Sequence, residues 1–272
     1  MYGYLLRYSY IRGNLARKIA IINQKGGVGK TTTAINLGTY LAKMGKKVLV
    51  LDLDPQGNST SGFGFTNEDL SGCLYNVLID GAPITRVRKE TSHHKNLHLA
   101  PASINLAAAE VELVSQLARE HKLKSALELI NDEYDYVIID NPPSLGLLTV
   151  NGLVAADQVL IPVQAEYYAL EGLGQLLSTI KRVRVQLNPN LELLGVLVTM
   201  FDRRTSLSKE VQSELQKHFG EHVFDTVIPR NVRLAEAPSY GRPISEYDQF
   251  SKGAAAYKSL AKEVIEKTKK KK

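Results

Sequence analysis

Cysteine is almost missing from this chain: Cys73 is the only one in 272 residues. A single thiol builds neither an intrachain disulfide framework nor a zinc or iron–sulfur site drawn from several cysteines of one chain. Long apolar runs are missing too, and the longest fall well short of the roughly 20 residues that cross a bilayer as a helix. The first eighteen residues hold Arg7, Arg12, Arg17 and Lys18 but no unbroken apolar stretch and no small-residue cleavage site. No secretory signal is therefore expected, and the expected location is the cytoplasm. Charge of one sign is scarce in the body of the chain. The net charge is +6, yet residues 252–272 alone carry +6, residues 1–18 carry +4, and residues 19–251 sum to −4. Bulk charge by itself therefore gives no ground for nucleic-acid binding.

What remains is an ordinary globular composition, 44% hydrophobic and 23% charged, far from disordered or collagen-like chains. No Pro/Gly/Ser-rich linker and no internal repeat divides it, so one domain is expected over 18–268. A basic and aromatic arm precedes it over 1–17, and a lysine tail follows over 269–272. Short β-branched runs alternate with amphipathic stretches. Strands are expected at Lys18–Asn23, Lys47–Leu53, Leu97–Ala100, Tyr134–Asp140, Gln158–Val163, Leu193–Met200 and Val223–Ile228. Helices are expected at Thr31–Lys43, Leu106–Leu117, Leu123–Ile130, Glu171–Leu187, Ser208–Phe219 and Gly253–Thr268. That alternation implies an α/β fold, a mostly parallel sheet flanked by helices.

The first strand runs into Lys25-Gly26-Gly27-Val28-Gly29-Lys30-Thr31-Thr32. A strict Gly-x-x-x-x-Gly-Lys-Thr spacing asks for glycine at position 24, where the chain has Gln24. The three glycines still supply the backbone conformations that turn N–H groups inward around phosphate oxygens. The helix that follows offers its positive end to the same anions. Lys30 is placed to reach the β- and γ-phosphates and Thr31 to ligate Mg²⁺. Asp52 and Asp54 close the second strand on one side of the chain, at the sheet edge where open α/β folds bind ligands. Asp140 closes the strand YDYVIID before Pro142-Pro143, the Walker-B position of an acid beside Mg²⁺. The second lysine, Lys25, has no duty in an ordinary phosphate loop.

KGGVGKTT, with DLDPQGN at 52–58 and DNPPS at 140–144, resembles the deviant phosphate-loop ATPases of the ParA/MinD family. Asn141 departs from the small residue expected there. Pro162–Leu176, Leu197–Leu207 and Val227–Ile244 resemble the Soj/ParA chromosome-partitioning branch, so the likeness spans about residues 18–265. The resemblance implies a weak ATPase using ATP and Mg²⁺, and a homodimer closed around ATP. Lys25 would reach the partner subunit's phosphates, and Asp54 would be the hydrolytic carboxylate. Thr31, Asp54 and Asp140 would serve the metal. Lys25, Gly26, Gly27, Val28, Gly29, Lys30, Thr31 and Thr32 would surround the phosphates, with Pro229 and Asn231 beside adenine.

It further implies that Arg204, Arg230 and Arg233 face non-specific double-stranded DNA at the nucleoid, and that a ParB-type centromere-binding protein stimulates hydrolysis. A replication initiator is an open second partner. Asp202 and Glu236 offer the alternative of ordinary surface ion pairs for these arginines. A MinD-like membrane role would need the stripe Tyr257, Leu260, Ala261, Val264 and Ile265 to face lipid. That stripe is narrow and lacks Phe or Trp, so packing on the sheet is expected and no membrane partner. Positioning of another cargo would share every motif, whereas an iron-protein-type reductase fails on cysteine count. The arm over 1–17 has no assigned role, and His93-His94 reads as a polar loop pair.

Overall fold

The structure, a computed structural model, describes residues 15–166 and 171–269. Its centre is a seven-stranded sheet: β1 (Arg17–Ile21), β2 (Val48–Asp52), β3 (Lys89–Glu90), β4 (Leu97–Ala100), β5 (Tyr136–Asp140), β6 (Gln158–Gln164) and β7 (Glu192–Thr199), in spatial order β3-β4-β2-β5-β1-β6-β7. All pairings are parallel except the edge pair β3–β4. Every residue of β2 and β5 is buried, as parallel strands covered on both faces require, which is why they read as continuous apolar runs.

Alternate strand residues feed two cores. Ile19, Ile21, Val48, Val50 and Ile138 pack against the helices Lys30–Lys43 and Lys252–Lys267. Ala20, Leu49, Leu51, Val137 and Ile139 pack against the helices Leu147–Ala155 and Glu171–Gln186 on the other face. The neighbours β1 and β5 thus send their following helices to opposite faces. A crevice opens at their carboxyl ends, where ligands bind in open α/β sheets. The stripe on the last helix is used as expected: Tyr257, Leu260, Ala261 and Val264 are buried against the sheet. No helix among the described residues is long and apolar enough to cross a membrane.

Three local expectations are corrected. Val223–Ile228 is not a strand. It touches β7 only through an isolated bridge at Val223, with Phe224 and Ile228 donating to Val196 and Val198. Between them the amides of Asp225 and Thr226 donate to the Glu263 carboxylate at 2.8 and 3.0 Å, which pulls the backbone off the sheet. The helix expected to run to Leu117 ends at Glu112, followed by a tight turn over Leu113–Ser115. The helix Leu147–Ala155 was not expected at all. It is buried on nearly every side, so it shows no polar face to reveal a helical period. At the amino end β1 takes in Arg17, and Ala16 is buried with its amide bonded to Asn131, so the fold begins before residue 18. The rest of the amino-terminal arm, Tyr167 and Tyr168 of the 162–176 stretch and the final lysines lie outside the described residues.

Candidate nucleotide site and basic groove

The loop after β1 is fixed at its entry by Asn23. Its side chain donates to the Pro162 carbonyl at 2.7 Å and accepts the Lys25 amide at 3.0 Å. Gly27 and Gly29 take φ of +73° and +89°, left-handed conformations that side chains resist. Gly29 is the N-cap of the helix Lys30–Lys43, so the free amides of the first turn point toward the loop. A Cβ on Gly26 or Gly27 would meet nothing within 4 Å. The space beside these two glycines is therefore open.

Three charged side chains converge beneath it. Lys30 is only 7% exposed, and its Nζ donates to the Lys25 carbonyl at 3.3 Å. Burial pushes its ammonium below the ordinary lysine range, against the pull of the Asp140 and Asp54 carboxylates. Asp140 is fully buried, and burial raises its carboxyl above the ordinary range, while hydrogen bonds from Ser59 and Thr31 and the Lys30 charge oppose the rise. Its Oδ2 accepts the Ser59 hydroxyl at 2.8 Å, but its Oδ1 is buried without a partner. An orphaned carboxylate oxygen beside a threonine hydroxyl suits a hydrated divalent cation. Asp54, also buried, accepts the Gln56 amide on Oδ1 at 3.0 Å. Lys30, Thr31, Asp54 and Asp140 lie together in the structure.

Asp52 serves the fold instead. Its Oδ2 accepts both the amide and the hydroxyl of Thr60 at 2.7 Å, strapping the short helix Asn58–Gly62 under the site. It pairs in register with Asp140 across β2–β5. Burial first, then the Asp140 charge, pushes its carboxyl well above the ordinary range. The folded chain thus keeps a proton there that the unfolded chain releases near pH ~4. A raised folded value means the native state binds more protons, so this contribution to stability is lost as pH rises from about 4 through neutrality. Asp52→Asn removes the titration and keeps an acceptor for Thr60. The stability of Asp52→Asn relative to wild type is expected to improve with pH by up to about 1.4 kcal/mol per unit across that window. Denaturant melts of the nucleotide-free proteins at several pH values measure this, and parallel curves would refute it.

Asn141 is accommodated by a glycine. Its Nδ2 donates to the carbonyls of Ile21 and Ile139, both at 3.1 Å, and a Cβ on Gly152 would collide with its Oδ1. Lys25 lies half-exposed, with Nζ 3.1 Å from Glu166 of the same chain. His93 has both ring nitrogens occupied, by Glu246 at 2.8 Å and by the Phe63 carbonyl at 3.1 Å, so it is a loop clasp. Among the described residues no group of three His, Cys, Asp or Glu side chains could hold a metal.

Past the end of β7, from Phe201 onward, lies a groove of about 1040 Å³. Arg203, Arg204, Arg230 and Lys252 line it together with Pro229, against the acids Asp202 and Asp225. Arg204 forks onto Asp202 at 2.7 and 3.0 Å, and these bonds pull the Asp202 carboxyl down to about 2. Arg233 pairs with Glu236 at 2.9 Å and Asp248 at 3.5 Å. Both surface ion pairs weighed from the sequence therefore form. Arg230, by contrast, has no ion pair among the described residues. Asn231 caps the helix Val232–Glu236 by accepting the Arg233 amide at 2.8 Å. Sequence reasoning missed Ser59, Thr60 and Glu166, although the polar run Asn58–Ser61 after the aspartates was a signal for the first two.

A family model described as an AAA domain matches residues 16–193. The sporulation initiation inhibitor protein Soj of Bacillus subtilis is 56% identical over 250 residues, covering 92% of this chain and 98% of that protein. The chromosome partitioning protein ParA of Caulobacter vibrioides is 52% identical over 254 residues, covering 93% and 95%. Among solved structures, cobyrinic acid a,c-diamide synthase of Mycobacterium smegmatis with bound ATP analogue and magnesium superposes with a TM-score of 0.80 at 39% identity, covering 91% and 93%. With the glycine cradle, the buried lysine and two acids at the carboxyl edge of the sheet, and relatives matched nearly end to end, this chain belongs to the Soj/ParA family of chromosome-partitioning ATPases.

Proposed function

We propose that the chain is an ATP-driven DNA-binding switch for chromosome partitioning at the nucleoid. In this reading ATP and Mg²⁺ occupy the cradle, with Gly26–Thr32 around the phosphates and Thr31, Asp54 and Asp140 serving the metal. Mg²⁺ supplies neutralisation of phosphate charge. Lys25 leaves Glu166 and reaches the nucleotide of a second copy, so that ATP closes a homodimer. Pro229 and Asn231 flank the adenine. Two copies of the groove then form one basic surface for duplex DNA, and a ParB-type protein accelerates hydrolysis and release. The neighbour with a bound ATP analogue and magnesium supports the nucleotide part. The observation that carries the rest is an arginine-lined groove whose wall begins at Phe201, two residues beyond Thr199, the residue bonded to the phosphate loop.

Contacts of this kind read phosphates, not bases, so affinity should fall steeply with salt and ignore sequence. Arg230 has no ion pair among the described residues to surrender on binding. Arg230→Ala is expected to weaken duplex binding and lower the salt slope by about one unit for each phosphate it no longer neutralises, with ATP turnover without DNA unchanged. The test is a salt titration on non-specific duplex with ATP and with ADP, run beside liposome sedimentation. ATP-dependent, salt-sensitive duplex binding without lipid binding supports the reading. Lipid binding without duplex binding replaces it with a membrane role.

A further inference from the structure

Between the phosphate loop and the groove stands one buried hydroxyl. Thr199, the last residue of β7, is 2% exposed, and its Oγ1 donates to the Val28 carbonyl at 2.8 Å. Its own carbonyl accepts the Ala165 amide at 3.0 Å, so the sheet holds its backbone in place. Its methyl lies 3.9 Å from where a Cβ on Gly29 would stand.

The carbonyl it binds is informative. The Val28 C=O and the Gly29 N–H belong to one planar trans peptide and point in opposite directions. An anion that captures the Gly29 amide fixes the direction of the Val28 carbonyl, and Thr199 is bonded to that carbonyl. On the far side, Met200 has φ of +51°, one of two non-glycine residues with positive φ among those described. Side chains rarely adopt that conformation, and residues held in it mark hinge positions. Phe201 follows at once. Its amide donates to Ile228 at 3.0 Å and its carbonyl accepts the Arg230 amide at 3.1 Å, while Asp202 holds Arg204. One hydrogen bond to the loop, the four residues Thr199–Asp202, and the bonds that Phe201 and Asp202 accept therefore join the phosphate loop to two of the groove's arginines.

We propose that Thr199 is a positioning residue that couples the state of the Val28–Gly29 peptide, through a hinge at Met200, to the placement of Arg204 and Arg230. The coupling makes the groove respond to phosphates held by the loop amides and rests on the reading of that groove as a duplex-binding surface. Such a link needs an element with two arrangements that both sites bias, and in this proposal the Met200 turn has that role.

The test compares wild type, Thr199→Val and Thr199→Ser, each saturated with AMPPNP–Mg²⁺ or free of nucleotide. Valine keeps the shape and deletes the donor, whereas serine restores the donor. Two quantities are read: amide hydrogen exchange over 200–204 and 226–230, and the ratio of duplex dissociation constants in the two states. Wild type should show slower exchange with AMPPNP. Thr199→Val should lose that difference and shrink the duplex ratio by about fivefold or more, with affinity of the nucleotide-free protein unchanged and Thr199→Ser resembling wild type. Retention of the exchange difference in Thr199→Val overturns the proposal. So does an equal loss of duplex affinity in both states, the mark of a merely structural residue. If wild type shows the exchange response without duplex binding, the DNA reading fails and the coupling stands.

Discussion

Lys30→Ala is expected to weaken nucleotide binding by about 10- to 100-fold, as removal of a charge-assisted phosphate contact of roughly 1.5–3 kcal/mol would. Turnover should fall further, because the same ammonium faces charge that grows as the γ-phosphate departs. The site explains why one lysine matters so much. Lys30 is buried, and its Nζ is given one long bond to the Lys25 carbonyl. Burial disfavours its charge, and only Asp140 and Asp54 offset that. Phosphate supplies the anion that this buried cation lacks. Arginine is no remedy, since its planar fork fills different space and directs its donors differently. Titration with a fluorescent ATP analogue and single-turnover hydrolysis measure the two effects separately. Wild-type affinity in Lys30→Ala would remove it from the phosphate site.

The parts of the fold most easily read were those where one residue type does a job no other can. Gly27 and Gly29 hold conformations closed to side chains, so the loop after β1 was legible down to its residues. β5 was legible because a parallel strand covered on both faces must be apolar throughout. The same rule hid the helix Leu147–Ala155, whose burial on all sides erases the period that reveals a surface helix. Val223–Ile228 has a strand's composition, and only Glu263, nearly forty residues downstream, takes its central amides away. Asn141 looked like a departure because its compensation, Gly152, lies a full helix turn inside an element that was not expected. Glu166 and Thr199 are ordinary residues made functional by what the fold sets beside them. Spacing along a chain carries no trace of such pairings.

Lys25 illustrates how the monomer differs from the arrangement the family resemblance implied. Its ammonium lies on Glu166 at 3.1 Å, with both side chains nearly half exposed. Pairs of that exposure contribute little, roughly 0–1 kcal/mol. The contact therefore holds the lysine near the loop at little cost to the proposed transfer to a second subunit's phosphates. A buried pair would have required far more to break.

Asp54→Ala is expected to lower ATP hydrolysis at least about tenfold while ATP binding and ATP-dependent dimerisation survive, a floor set below the roughly 10²- to 10⁴-fold that a positioned acid–base group contributes. The asymmetry follows from the electrostatics. Asp54 adds negative charge where phosphates must sit, and its charge raises the Asp140 carboxyl further. Its removal therefore relieves repulsion of the phosphates, which offsets what it lends the metal, and leaves Asp140 more readily ionised. What disappears is the group that can hold and polarise a water on the far side of the γ-phosphate from the departing ADP. One complication is structural: Asp54 Oδ1 also accepts the Gln56 amide, so alanine loosens the turn as well. Asp54→Asn separates the two effects, since its carbonyl keeps the turn and only the charge disappears. Equal reductions in the alanine and asparagine variants place the effect on the carboxylate. Normal turnover in Asp54→Asn would assign the residue to the turn alone, and the hydrolytic group would then have to be sought elsewhere in the crevice.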